Sequence, residues 1–91
     1  MVVIVTDNAA DSLRGELQRW IMEVKPGVFV GKVSGLVRDK LWEKVVNSDH
    51  SGALLICSAD NEQGFLVKMS GDPIRSVVDL DGLQLIKTVV K

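Results

Sequence analysis

The sequence predicts an α+β two-layer sandwich, with two helices packed on one face of an antiparallel sheet. Three features point to it. Val2-Val3-Ile4-Val5 and Ala53-Leu54-Leu55-Ile56-Cys57-Ser58-Ala59 are nearly unbroken apolar runs, as in strands covered on both faces. Two segments between them repeat apolar residues at helical spacing. Further short strands close the chain, giving the expected order β-α-β-α-β-β-β. One helical layer leaves the other sheet face bare. A second copy of the chain, sheet on sheet across a two-fold axis, is the simplest cover for it.

The first strand stops at Thr6-Asp7-Asn8, small polar residues that favour caps and turns. A central strand ending on a carboxylate holds that group on a rigid scaffold, so Asp7 is the first candidate site residue. Its plainer role is to help cap the helix that follows. That helix starts at Asn8 or Asp11 and runs to about Val24. Leu13, Leu17, Trp20, Ile21 and Val24 form its apolar stripe, and Arg14, Gln18 and Lys25 lie off it. Gly15, inside it, either allows close helix-to-sheet packing or leaves room for a polymer backbone beside Arg14.

Lys25-Pro26-Gly27 is a break, and Val28 to Val33 follows as the second strand, either whole or as one half of a strand broken near Pro26. Ser34 caps the second helix, about Gly35 to Asn47. Its stripe is Val37, Leu41 and Val45, widened by Trp42 and Val46. A polar loop from Asn47 to Gly52 leads into the central strand Ala53 to Ala59. Asp60 to Gly64 is a hairpin-type turn, Phe65 to Met69 a more exposed strand, and Ser70-Gly71-Asp72-Pro73 another turn. Val77 to Val90 reads as one final strand with a buried face.

The chain has 91 residues, enough for one domain with an adequate but marginal core. Hydrophobic residues make up 46%, rich for this size and in keeping with apolar surface buried between subunits. No apolar run approaches the roughly 20 residues of a membrane span. No signal-peptide pattern opens the chain, and Cys57 is the single cysteine. An internal disulfide is excluded, and the reducing cytoplasm is the expected compartment. The net charge of −1 taken alone disfavours nucleic acid, so any basic patch must come from folding or from pairing of two copies. On charge alone, a small-ligand regulatory dimer is the favoured class.

No GxSxG, HExxH, P-loop or CxxC signature is present. His50 reads as a solvated loop residue, Cys57 as a small buried hydrophobe, and Trp20 and Trp42 as core. One carboxylate holds a metal poorly. Two copies of Asp7 facing across a dimer axis could share Mg²⁺ and activate water against a phosphodiester. Asp79 and Asp81 flank Leu80; they share one side of a strand or belong to a turn closed by Gly82. Arg75 is either a surface charge or a phosphate contact.

Seven stretches occur in a specific order: Val5-Thr6-Asp7-Asn8, Leu13-Arg14-Gly15, Trp20 with Glu23-Val24, Gly27-Val28-Phe29-Val30-Gly31, Arg38 with Trp42-Glu43, Gly64-Phe65, and Val78-Asp79-Leu80-Asp81-Gly82-Leu83. Together they resemble the CRISPR-associated Cas-two protein of the type I-E subtype. The resemblance implies a ferredoxin-like homodimer with facing sheets that bridges two dimers of the Cas-one integrase. That assembly inserts short foreign DNA duplexes into the CRISPR array as spacers, and the dimer supports the middle of the duplex through its phosphates. The resemblance also implies a metal-dependent endonuclease on RNA or DNA, with Asp7 as catalytic residue and magnesium ligand. It makes Arg14, Arg75 and Arg38 the DNA-binding positions, while Ser12, Leu36 and Ile74 stand where other members carry Lys or Arg. It divides the chain into a core, residues 1–76, and a C-terminal segment, residues 77–91. That segment pairs across the dimer and docks the integrase through Val78, Asp79, Leu80, Leu83 and Leu85.

Overall fold

A computed structural model of the protein describes residues 1–48, 52–71, 75–80 and 83–88. The elements are β1 (Val2–Asp7), α1 (Asp11–Gln18), β2 (Met22–Lys25), β3 (Val28–Gly31), α2 (Gly35–Val46), β4 (Gly52–Ser58), β5 (Phe65–Ser70), β6 (Arg75–Leu80) and β7 (Leu83–Thr88). The first five strands to appear in sequence form one sheet in the order β2-β3-β1-β4-β5, every pairing antiparallel. The apolar runs expected to be central are central: β1 lies between β3 and β4, and β4 between β1 and β5. The α+β ferredoxin-like class expected from the sequence is therefore the architecture present.

Register decides which side chains share a face, because directly paired residues point the same way. Ile4 pairs with Phe29 on one side and Leu55 on the other, and Val2 pairs with Cys57. On this face Val2, Ile4, Phe29, Leu55 and Cys57 join Leu13 and Leu17 of α1 and Leu41 and Val45 of α2 in the core. Leu13 and Leu17 of the first expected stripe and Leu41 and Val45 of the second are thus packed inward, and Cys57 is the buried hydrophobe it was read to be. The Ser34 cap also forms: the Val37 N–H donates to Ser34 Oγ at 3.2 Å, satisfying one donor that the start of α2 would otherwise strand.

The opposite face carries Val3, Val5, Val28, Val30, Leu54 and Ile56, all half-buried, extended by Val67 and Met69 of β5. The core helices lie on the other side.

The helix expected to reach Val24 ends at Gln18. The N–H groups of Trp20 and Ile21 still bond back to Leu17 O, at 3.1 and 3.0 Å, and the chain then extends as β2. Trp20, Ile21 and Val24 fit a helical stripe, but Ile21 to Lys25 also fits a strand. The ladder to β3 decides between them. Ile21 stays buried, whereas Trp20 and Val24 are 54% and 55% exposed, so neither belongs to the core. Gly31 accommodates Ile21: a Cβ there would overlap the isoleucine side chain. The broken strand near Pro26 is a real hairpin, β2–β3. Val46 does not widen the α2 stripe, being 45% exposed, while Trp42 packs at its edge.

Gly15 has open space where a Cβ would be, so close packing does not explain it. The final strand expected from Val77 to Val90 is instead an antiparallel hairpin, β6–β7, with Val78 opposite Leu85 and Leu80 opposite Leu83. The strand β6 begins at Arg75, ahead of the expected domain boundary. The readings of His50, Asp72, Pro73, Ile74, Asp81, Gly82, Val89 and Val90 fall outside the described residues. No helix among the described residues is long and apolar enough to cross a membrane.

Candidate functional site

β1 delivers Thr6, Asp7 and Asn8 to one end of the sheet. Thr6 is buried, and its N–H donates to Gly27 O at 2.7 Å, tying the β2–β3 turn to the end of β1. Gly27 adopts φ +80, and a Cβ there would sit 2.5 Å from Thr6 O, so turn geometry and close approach both call for glycine. Asp7 is exposed and lies opposite Gly52 of β4. Asn8 follows at φ 57, the left-handed conformation that reverses the chain toward α1.

Capping differs from expectation. Ala10, and neither Asn8 nor Asp11, occupies the N-cap position, and it makes no side-chain cap bond. Asp11 instead lies in the first turn, where the helix dipole favours a carboxylate.

Arg14, one turn into α1, reaches across to Glu23 of β2. Its Nε donates to Glu23 Oε2 and its Nη2 to Oε1, both at 3.1 Å. Gln18 Nε2 donates to Oε1 at 2.7 Å and the Gly27 N–H to Oε2 at 2.9 Å. Glu23 pairs in register with core residue Phe29, so its side chain points toward the helical layer and is only 10% exposed. The Gly27 N–H and then Arg14 hold its carboxyl below the usual carboxylate range. In return, the hydrogen bond and charge of Glu23 raise the Arg14 guanidinium above its ordinary value.

Between these groups opens a cleft of about 590 Å³ lined by Thr6, Asp7, Asn8, Ala9, Arg14, Pro26 and Gly27. Two sequence candidates, Asp7 and Arg14, therefore share one cavity. Arg38 is elsewhere, on α2. Its Nε donates to Asp39 Oδ1 at 3.1 Å, and that bond, with a further contribution from the neighbouring Cys57 thiol, raises its pKa. Arg75 opens β6, opposite Thr88. The five docking candidates fall on the β6–β7 hairpin, with Asp79 opposite Gln84.

As a metal site within one chain, Asp7 supplies a single carboxylate. Among the described residues no three His, Cys, Asp or Glu side chains come together as a ligand set. A magnesium ion needs more protein or substrate oxygens than this, so the donor set among the described residues of one chain does not fit it.

Sequence reasoning missed the centre of this site. Glu23 was noted only within a longer motif, because its segment read as helix. The available signal was the alternation of Ile21, Glu23 and Lys25 with Met22 and Val24 ahead of a Pro-Gly turn, the pattern of a hairpin arm. The sequence model of a family described as "CRISPR-associated protein (Cas_Cas2CT1978)" matches residues 1–85. That span takes in β1, the Arg14–Glu23 cluster, both helices and the start of β7, and on it the chain belongs to this Cas2-type CRISPR-associated family.

Proposed function

We propose that this chain is a cytoplasmic, structural DNA-binding subunit of the type I-E spacer-acquisition complex. It acts as a homodimer that bridges dimers of the Cas-one integrase and supports the protospacer duplex through its phosphates. The observation that carries the reading is the second sheet face, where Val3, Val5, Val28, Val30, Leu54 and Ile56 form a continuous apolar surface that α1 and α2 do not cover. A second copy laid on that face buries it and doubles every cation near the axis. Arg14, Arg38 and Arg75 are the phosphate contacts, and Val78, Asp79, Leu80, Leu83 and Leu85 on the hairpin dock the integrase. With a net charge of −1 on each chain, the dimer alone binds DNA weakly, and the integrase supplies much of the affinity.

The test combines light scattering, co-purification with the integrase and duplex binding at several salt concentrations. The expected results are a dimer, a stable complex, and affinity that falls steeply with salt. Each arginine removed should lower the slope of log affinity against log salt by about 0.9. A monomer at micromolar concentration overturns the reading.

A second reading has one observation in its favour: Asp7 is exposed at a cleft on the end of a central strand. On that reading the dimer is a magnesium-dependent endonuclease on RNA or DNA. A second copy of Asp7 then supplies the oxygen ligands that one chain lacks. Asp7→Ala should abolish cleavage, as should a chelator. Cleavage that survives the substitution removes Asp7 from the chemistry.

A further inference from the structure

The Arg14 guanidinium is divided. Its Nε and Nη2 edge is committed to Glu23, by bonds of 3.1 Å each and an Nη2 to Oε2 approach of 3.0 Å. Among the described residues its Nη1 has one ionic neighbour, Asp11 at 3.8 Å, beyond hydrogen-bonding distance, and Asp11 is fully exposed. Glu23 takes four donors, from Arg14 twice, Gln18 and the Gly27 N–H, which fills the acceptor capacity of a carboxylate. The Gly27 carbonyl in turn receives the Thr6 N–H, so the clamp that holds Arg14 is anchored to both walls of the cleft.

We propose that Glu23 is the positioning residue for phosphate recognition at this cleft: it grips one edge of the Arg14 guanidinium and leaves Nη1 as a fixed donor offered to an anionic oxygen. This rests on the reading of Arg14 as a phosphate contact. Two effects of Glu23 oppose each other. Its negative charge repels a phosphate, and its grip removes the cost of ordering a long, flexible side chain during binding. The grip wins, because the guanidinium stands between the carboxylate and any ligand on Nη1. The bound Arg14 charge already offsets that of Glu23, whereas freeing Arg14 puts the whole ordering cost back on binding.

The two effects predict opposite signs. Binding of a fluorescein-labelled DNA duplex to the full chain is measured for wild type, Glu23→Gln, Arg14→Gln and the double variant, with thermal unfolding of each. Positioning gives about fivefold weaker binding for Glu23→Gln, and no further loss from it once Arg14 is replaced. Gln18→Ala, which removes one exposed bond to Glu23, gives a smaller loss of the same sign. Tighter or unchanged binding by Glu23→Gln, with Arg14→Gln still weakening it, overturns the positioning role alone. A loss from Glu23→Gln of equal size in both backgrounds also overturns it, marking a structural effect. If Arg14→Gln itself leaves affinity and salt slope unchanged, the phosphate reading fails and the positioning role goes with it.

Discussion

Ile4 and Val5 are consecutive residues of one strand, and they meet different surroundings. Ile4 is fully buried, enclosed by Phe29, Leu55 and the helical layer. Val5, on the other face with Val28 and Leu54, is half-buried and has neither α1 nor α2 over it. The same alternation holds along β3 and β4. One face is finished by the chain, with side chains chosen to fit each other. The other is equally apolar, and neither α1 nor α2 finishes it. Apolar character in a strand therefore does not by itself say whether the same chain covers that face.

Substitutions on the two faces should separate folding from assembly. Phe29→Ala removes a fully buried ring from the finished face and should cost about 3–5 kcal/mol. That is a large share of the roughly 5–15 kcal/mol that holds a small domain together. Denaturant unfolding measures it, and an equal cost for its neighbour Val30→Ala would abolish the distinction between the faces. Ile56→Asp places a charge on the unfinished face. Helical circular dichroism should persist while self-association weakens about a hundredfold, read by sedimentation, because a charge buried at an interface without a partner is strongly disfavoured. Loss of the fold instead would mean that this face is part of the monomer's core.

The smallest effect concerns the clamp on the helical side. The Glu23 carboxyl is held below its usual value of 4.5, so it binds a proton less readily folded than unfolded. Its stabilisation is present above that value and is lost as pH falls through the lower, folded-state one. Melting temperature followed from neutral pH into this acid range should drop less in Glu23→Gln than in wild type. Parallel curves would remove Glu23 from the acid response.

Much of this arrangement was legible in the residues. The β-branched run Val2 to Val5 and the apolar run through Leu55 announced central strands, Ser34 announced a cap, and Leu13, Leu17 and Leu41 announced the inner faces of the helices. Trp20, Ile21 and Val24 misled because five residues can satisfy a helical and an alternating pattern at once, and the choice was made by a ladder to β3 that no local pattern contains. The tail misled differently. A turn closed by Gly82 was one reading of Asp79 and Asp81, a hairpin signal in its own right, but the alternation after it was still assigned to a single final strand. The clamp was hidden for a deeper reason. Glu23 acquires its meaning from Arg14, Gln18 and Gly27 together, and only the hairpin brings them to one carboxylate.

The two tight turns of the main sheet leave unequal freedom for change. At Gly27 the backbone is bonded on both sides, to Glu23 and to Thr6, and has no room for a side chain. At the tip between β4 and β5, Asn61 closes the turn through bonds to Gly64 and Phe65, while Glu62 is exposed and the space above Gly64 is empty. An affinity tag, a fluorophore or a grafted peptide belongs at Glu62, where added chain can extend into solvent and leave the sandwich as it was.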